Sequence, residues 1–153
     1  MKMTKIILMA ATAGLLSAGV RAADNPALMA PVKSVYADYL KIQASLANDS
    51  LNGVAVNANA IAKAVNGDSM KMLPTEVATE AETVAKATDL KSARTAFKPL
   101  SDSLIKYLAD HHARNAYVQV YCPMADASWL QSSKSVRNPY YGKDDLTCGE
   151  IKN

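Results

Sequence analysis

The sequence predicts an all-α domain: an antiparallel up-and-down four-helix bundle with an irregular, cysteine-containing C-terminal cap. Three observations predict it. Apolar residues recur at steps of three and four in four successive stretches between residues 27 and 112. The stretches are joined by short connections carrying turn and cap residues, which favours antiparallel neighbours. After residue 112 the rhythm stops, and Cys122-Pro123 cannot extend a helix.

The first helix is expected over residues 27–47, with Val32, Val35, Tyr36, Tyr39 and Leu46 on one face and Gln43 as the polar exception. Pro31 falls in its first turn, where a proline is tolerated. Asn48-Asp49-Ser50 ends it and offers caps for the second, over residues 51–65, whose inner face (Leu51, Val54, Ala58, Ile61, Ala62, Val65) is rich in alanine. Asn66-Gly67 reads as a left-handed stop, and residues 68–73 as a loop holding Met70 and Met72. Thr75 is expected to cap the third helix, with Glu76 near the positive end of its dipole. Val77, Ala81, Val84 and Thr88 give that helix only a thin apolar stripe. Leu90 opens the clearest pattern, running through Ala93, Phe97, Leu100, Leu104, Tyr107 and Leu108. Pro99 interrupts it, at a cost of about 3 kcal/mol, so a kink near Thr95 or two shorter helices are expected.

Lys2 and Lys5, the apolar run 6–18 and Val20-Arg21-Ala22 read as a secretory signal over residues 1–22, cleaved after Ala22. Residues 23–153 then form one domain, with the bundle over 27–112 and the cap over 113–153. Of 17 basic residues, Lys2, Lys5 and Arg21 lie in the leader, leaving 14 to balance 14 acidic ones. No basic block remains for nucleic acid or an anionic membrane, so neither is an expected partner after signal cleavage.

Chemistry concentrates in residues 117–150. This stretch holds both cysteines, the one tryptophan and four of the seven tyrosines. Within it, Tyr117 to Tyr121 are β-prone, residues 127–132 are expected to form one helical turn, and Asn138-Pro139 with Gly142 is a turn signal. Soft sulfur ligands select copper(I), which needs only two or three of them. Cys122 and Met124 lie two apart, so in an extended segment their side chains share a side, and a turn bringing in Cys148 completes a Cys-Met-Cys set. His111 and His112, at the end of the fourth helix, are further candidate ligands; adjacent helical positions diverge, so at most one joins the site. Met70 and Met72 fit gap filling better than metal binding.

The same cysteines have a structural reading. In an oxidising compartment Cys122 and Cys148 form a natural disulfide, closing a loop of about 25 residues worth roughly 3.5 kcal/mol. Trp129, Asn138, Pro139, Tyr140 and Gly142 are then the structural residues of the cap. The two readings stay open side by side. There is no Cys-x-x-Cys-His for haem, no Cys-x-x-Cys pair, no phosphate loop and no Gly-x-Ser-x-Gly turn, so an enzyme is not expected.

Tyr121-Cys122-Pro123-Met124-Ala125, then Trp129-Leu130, Arg137-Asn138-Pro139-Tyr140-Tyr141-Gly142 and Leu146-Thr147-Cys148-Gly149-Glu150 form a specific combination. In these motifs the chain resembles the DUF3347 family; its upstream helices agree with the family in pattern. These are small domains of bacterial envelope proteins, found alone after a signal peptide or attached to periplasmic adaptor subunits of copper and heavy-metal efflux pumps. The resemblance implies a periplasmic location, a copper-linked role in metal homeostasis or efflux, and an efflux adaptor or other envelope protein as partner. Three residues before the second cysteine the family usually carries methionine. Here Asp145 stands there, a hard ligand that substitutes poorly for a thioether on copper(I). The expected function is therefore periplasmic binding of copper or a similar soft metal, with a disulfide-stapled, metal-free interaction module as the alternative.

Overall fold

Four helices come first along the chain in a computed structural model that describes residues 28–152. They are α1 (Ala30–Ala47), α2 (Val54–Gly67), α3 (Thr75–Ala85) and α4 (Leu90–Asp110). The signal reading of residues 1–22 lies outside the described residues. Among those described, no helix is long and apolar enough to cross a membrane.

The three-four periodicity places the core as expected: Tyr36, Tyr39, Ala58, Ile61, Val77, Ala81, Phe97, Leu100 and Leu104 are all fully buried, and Ile42, which the pattern passed over, is buried with them. Several helix ends are built differently. Gly53, at φ 77°, precedes α2 in the left-handed region, where a side chain is disfavoured. Gly67 remains helical, and the turn after it is made by Asp68, whose carboxylate accepts the backbone N–H groups of Met70 (2.9 Å) and Met72 (2.8 Å). Thr75 is the first residue of α3 rather than its cap; Pro74 takes that place with no side-chain bond. Asp89 caps α4, accepting from the Ser92 N–H at 2.8 Å in a reciprocal capping box. Pro99 does not divide α4, which runs unbroken for 21 residues. Both Pro99 and Thr95 are exposed, so the carbonyl that loses its helical partner faces water.

The all-α expectation is overturned beyond α4. Residues 118–151 contain a three-stranded antiparallel sheet of β1 (Val118–Cys122), β2 (Ala127–Gln131) and β3 (Glu150–Ile151), in the order β2-β1-β3, so the fold mixes helix and sheet. The expected helical turn at 127–132 is strand β2, paired with β1 in a register that sets Val120 opposite Trp129 and Cys122 opposite Ala127. Four residues, Pro123 to Asp126, turn the chain between them. Alternation, not a three-four rhythm, governs β1, where Val120 and Cys122 are buried; in β2 Ala127, Trp129 and Gln131 are buried on one side and Leu130 on the other.

The sheet is not a lid on one end of the bundle. Successive helices pack against each other from α1 to α4, but α1 and α4 meet little directly, and β2 lies against both. The Tyr39 hydroxyl ties this seam together, accepting the Leu130 N–H at 3.1 Å and lying 2.8 Å from the Ser101 hydroxyl of α4. Tyr140 donates to the Ser128 carbonyl at 2.8 Å and reaches Ser101 at 3.2 Å. Burial pushes the Tyr36, Tyr39 and Tyr140 phenols well above the usual tyrosine range, so all three stay neutral donors.

Candidate functional site

Cys122 ends β1 and is fully buried; Cys148 lies just before β3 and is half-buried. They form a disulfide, with Cα atoms 5.8 Å apart, and no free cysteine remains among the described residues. Gly149 allows the close approach, because a Cβ there would lie 2.6 Å from Val120 Cγ1 and 2.8 Å from Trp129 Cη2.

Asn138 organises the intervening tail from a fully buried position. Its side chain donates to the Cys148 carbonyl at 2.8 Å and accepts the N–H groups of Tyr140 (2.8 Å) and Tyr141 (3.2 Å). The Pro139 carbonyl accepts from Arg94 Nε at 2.8 Å. Gly142 has φ 57°, and a Cβ there would strike the Asp49 carboxylate and Arg94. Trp129 is fully buried, donates to Gln131 Oε1 at 3.0 Å and meets Tyr140 edge-on.

The five candidate ligands are not brought to one place. Met124 sits in the β1–β2 turn at 64% exposure while Cys122 is at 0%, so the two side chains do not share a side. The strand ends at Cys122, and the turn that Pro123 begins reverses the direction. His111 closes α4 and stacks on Tyr107, with Nδ1 2.9 Å from the Tyr107 carbonyl; His112 is exposed at φ 54°. His111 lines a cleft of about 470 Å³ with Met72, Pro74, Glu76, Tyr107 and Asp110, which Cys122, Met124 and Cys148 do not enter. Met70 projects into solvent at 66% exposure. Asp145 is half-buried, its carbonyl accepting the Cys148 N–H at 3.3 Å. No cluster of three or more His, Cys, Asp or Glu suited to a metal ion occurs among the described residues.

An open groove of about 630 Å³ borders the same tail. Leu90, Lys91, Arg94, Thr95 and Lys98 of α4 form one wall; Met124 and Ala125 of the β1–β2 turn, with Tyr140 and Tyr141, form the other. Lys98 spans it, its ammonium donating to the Ala125 carbonyl at 2.6 Å and lying 5.7 Å from the Tyr140 ring centre. The Tyr141 hydroxyl donates to the Met124 carbonyl at 3.2 Å. Arg94 is committed to structure, bonding Leu46 O at 3.0 Å and Asp49 Oδ1 at 2.5 Å. Sequence reasoning missed this groove. Its signal was the basic series Lys91, Arg94, Lys98, spaced by three and four along the side of α4 away from its apolar stripe.

Fold and site together define a disulfide-stapled helix-and-sheet domain with an open, cation-walled groove. The chain belongs to the family described as protein of unknown function (DUF3347), whose model matches residues 35–116, more than half of its length. The matched span runs from within α1 to just short of β1 and includes none of the cysteine-bearing motifs, so the match rests on the helical part and not on the tail that suggested the family. Neither the curated proteins nor the solved structures offer a match.

Proposed function

We propose that this chain is an exported, disulfide-stapled interaction domain that docks onto an envelope partner. The Cys122–Cys148 disulfide carries the reading. It commits both cysteines to joining the end of β1 to the approach to β3, and so fixes the turn and tail that wall the groove. The signal-like start supports export, and the resemblance to domains of efflux adaptors supports a partner of that kind.

One observation favours a second reading, copper(I) binding by the reduced form. Breaking the bond leaves two thiols on Cα atoms 5.8 Å apart, with Met124 two residues beyond the first. Two such sulfurs suffice for copper(I).

Intact mass decides between them. Protein taken from the periplasm and alkylated under denaturing, chelating conditions without reductant is expected to stay unalkylated and two hydrogens light. Even after reduction it should fail to take copper(I) from a competing chelator. Cys122→Ser should then chiefly lower stability, by about 2–4 kcal/mol in urea melts. Two added alkyl groups, with tight copper(I) binding that Cys122→Ser abolishes, overturn the docking reading in favour of the metal site.

A further inference from the structure

We infer that the groove between α4 and the β1–β2 turn seats an extended acidic segment of a protein partner. This rests on the docking reading above and names the surface and the chemistry it takes. The first argument is charge. Lys91, Arg94 and Lys98 line the groove and no carboxylate does. Arg94 is neutralised by Asp49. Lys91 is exposed and forms no ion pair among the described residues. The neighbouring Asp89 carboxylate feels the Lys91 charge but is turned onto the start of α4, bonded to the Ser92 N–H at 2.8 Å, and does not line the groove. Lys98 is held by a neutral carbonyl and an aromatic face; Asp102, which feels its charge, does not line the groove. Two ammonium groups therefore stand along one wall without a lining counter-charge.

The second argument is the opposite wall. Met124 is 64% exposed, and Tyr141 is half-buried beside it. A flexible thioether next to an aromatic ring accommodates varied apolar side chains. An extended chain sends alternate side chains to opposite sides, so a segment alternating acidic with apolar residues meets both walls at once. The groove is an open trough, which suits a through-running chain better than an enclosed small molecule. Its walls are fixed before binding by the Tyr141–Met124 and Lys98–Ala125 bonds and the adjoining disulfide, which lowers the ordering cost of association.

The test uses the oxidised protein and a fluorescein-labelled peptide alternating glutamate with leucine. Its lysine-for-glutamate counterpart and vesicles of anionic phospholipid serve as comparisons. Saturable binding of the acidic peptide is expected, with NMR amide shifts confined to the surroundings of Lys91, Thr95, Met124 and Tyr141. Lys91→Glu should weaken it about tenfold and added salt should weaken it further; Met124→Ser should weaken it about fivefold. Both substituted residues are exposed, and unchanged Trp129 fluorescence certifies the fold. Equal binding of the lysine peptide, insensitivity to Lys91→Glu, or shifts on another face would overturn the acidic assignment. Vesicle binding through the same residues would overturn the protein partner. Absence of any saturable binding at the groove overturns this inference alone, because the docking reading falls separately, on free thiols and tight copper(I).

Discussion

Asp49 holds three segments together. It sits at φ 55° just after α1, accepts from Arg94 of α4 through Oδ1 and from the Lys143 N–H through Oδ2 at 3.1 Å, and leaves no room for a Cβ at residue 142. The Arg94 guanidinium first, then the Lys143 N–H, hold its carboxyl below the usual aspartate range. A carboxyl depressed in the folded state contributes stability that is fully present above its unfolded value, near 4, and is lost as pH falls through the folded value. Asp49→Asn keeps the shape and tolerates the left-handed backbone but removes the charge. The stability gap between it and the native protein should be full at neutral pH and close progressively below about pH 4, in urea melts across that range. A gap that persists at low pH would assign Asp49 a purely steric role.

Among the elements, α4 tests how much a proline costs when its consequences face water. Pro99→Ala should restore the missing backbone bond and raise stability by about 1–3 kcal/mol, read from urea melts, with the far-ultraviolet spectrum little changed. The helices were legible because each buries a stripe long enough to fix its period, as Leu90 through Leu108 does. The strands were not. Val118–Cys122 is five residues long and β-prone, but β2 (Ala-Ser-Trp-Leu-Gln) has no β-branched residue, and only pairing across the turn makes it a strand. At the site, the two cysteines stood out while their pairing stayed open, because a thiol pair suits a bond and a soft metal alike. The groove was illegible for a different reason. Its walls come from residues 90–98 and 124–141, and nothing local in either stretch announces the other.

For the whole molecule, the seam between α1 and α4 matters most, because residues beyond the family's matched span fill it. Truncation after Ala116 removes Val120, Trp129, Leu130 and Tyr140, all buried, and uncovers the trough around Tyr39 and Phe97. The truncated chain is expected to keep helical content, bind a hydrophobic dye and lose its cooperative melt. A sharp two-state transition in it would show that the helices close on themselves. The wedge position of β2 also bears on timing. The helices leave the ribosome first, yet the seam cannot seal until β2 has emerged, nor can Cys122 find its partner before residue 148 has followed. Long-range pairings of this kind form late. Synthesis therefore runs through all four helices before it supplies the strand that closes them.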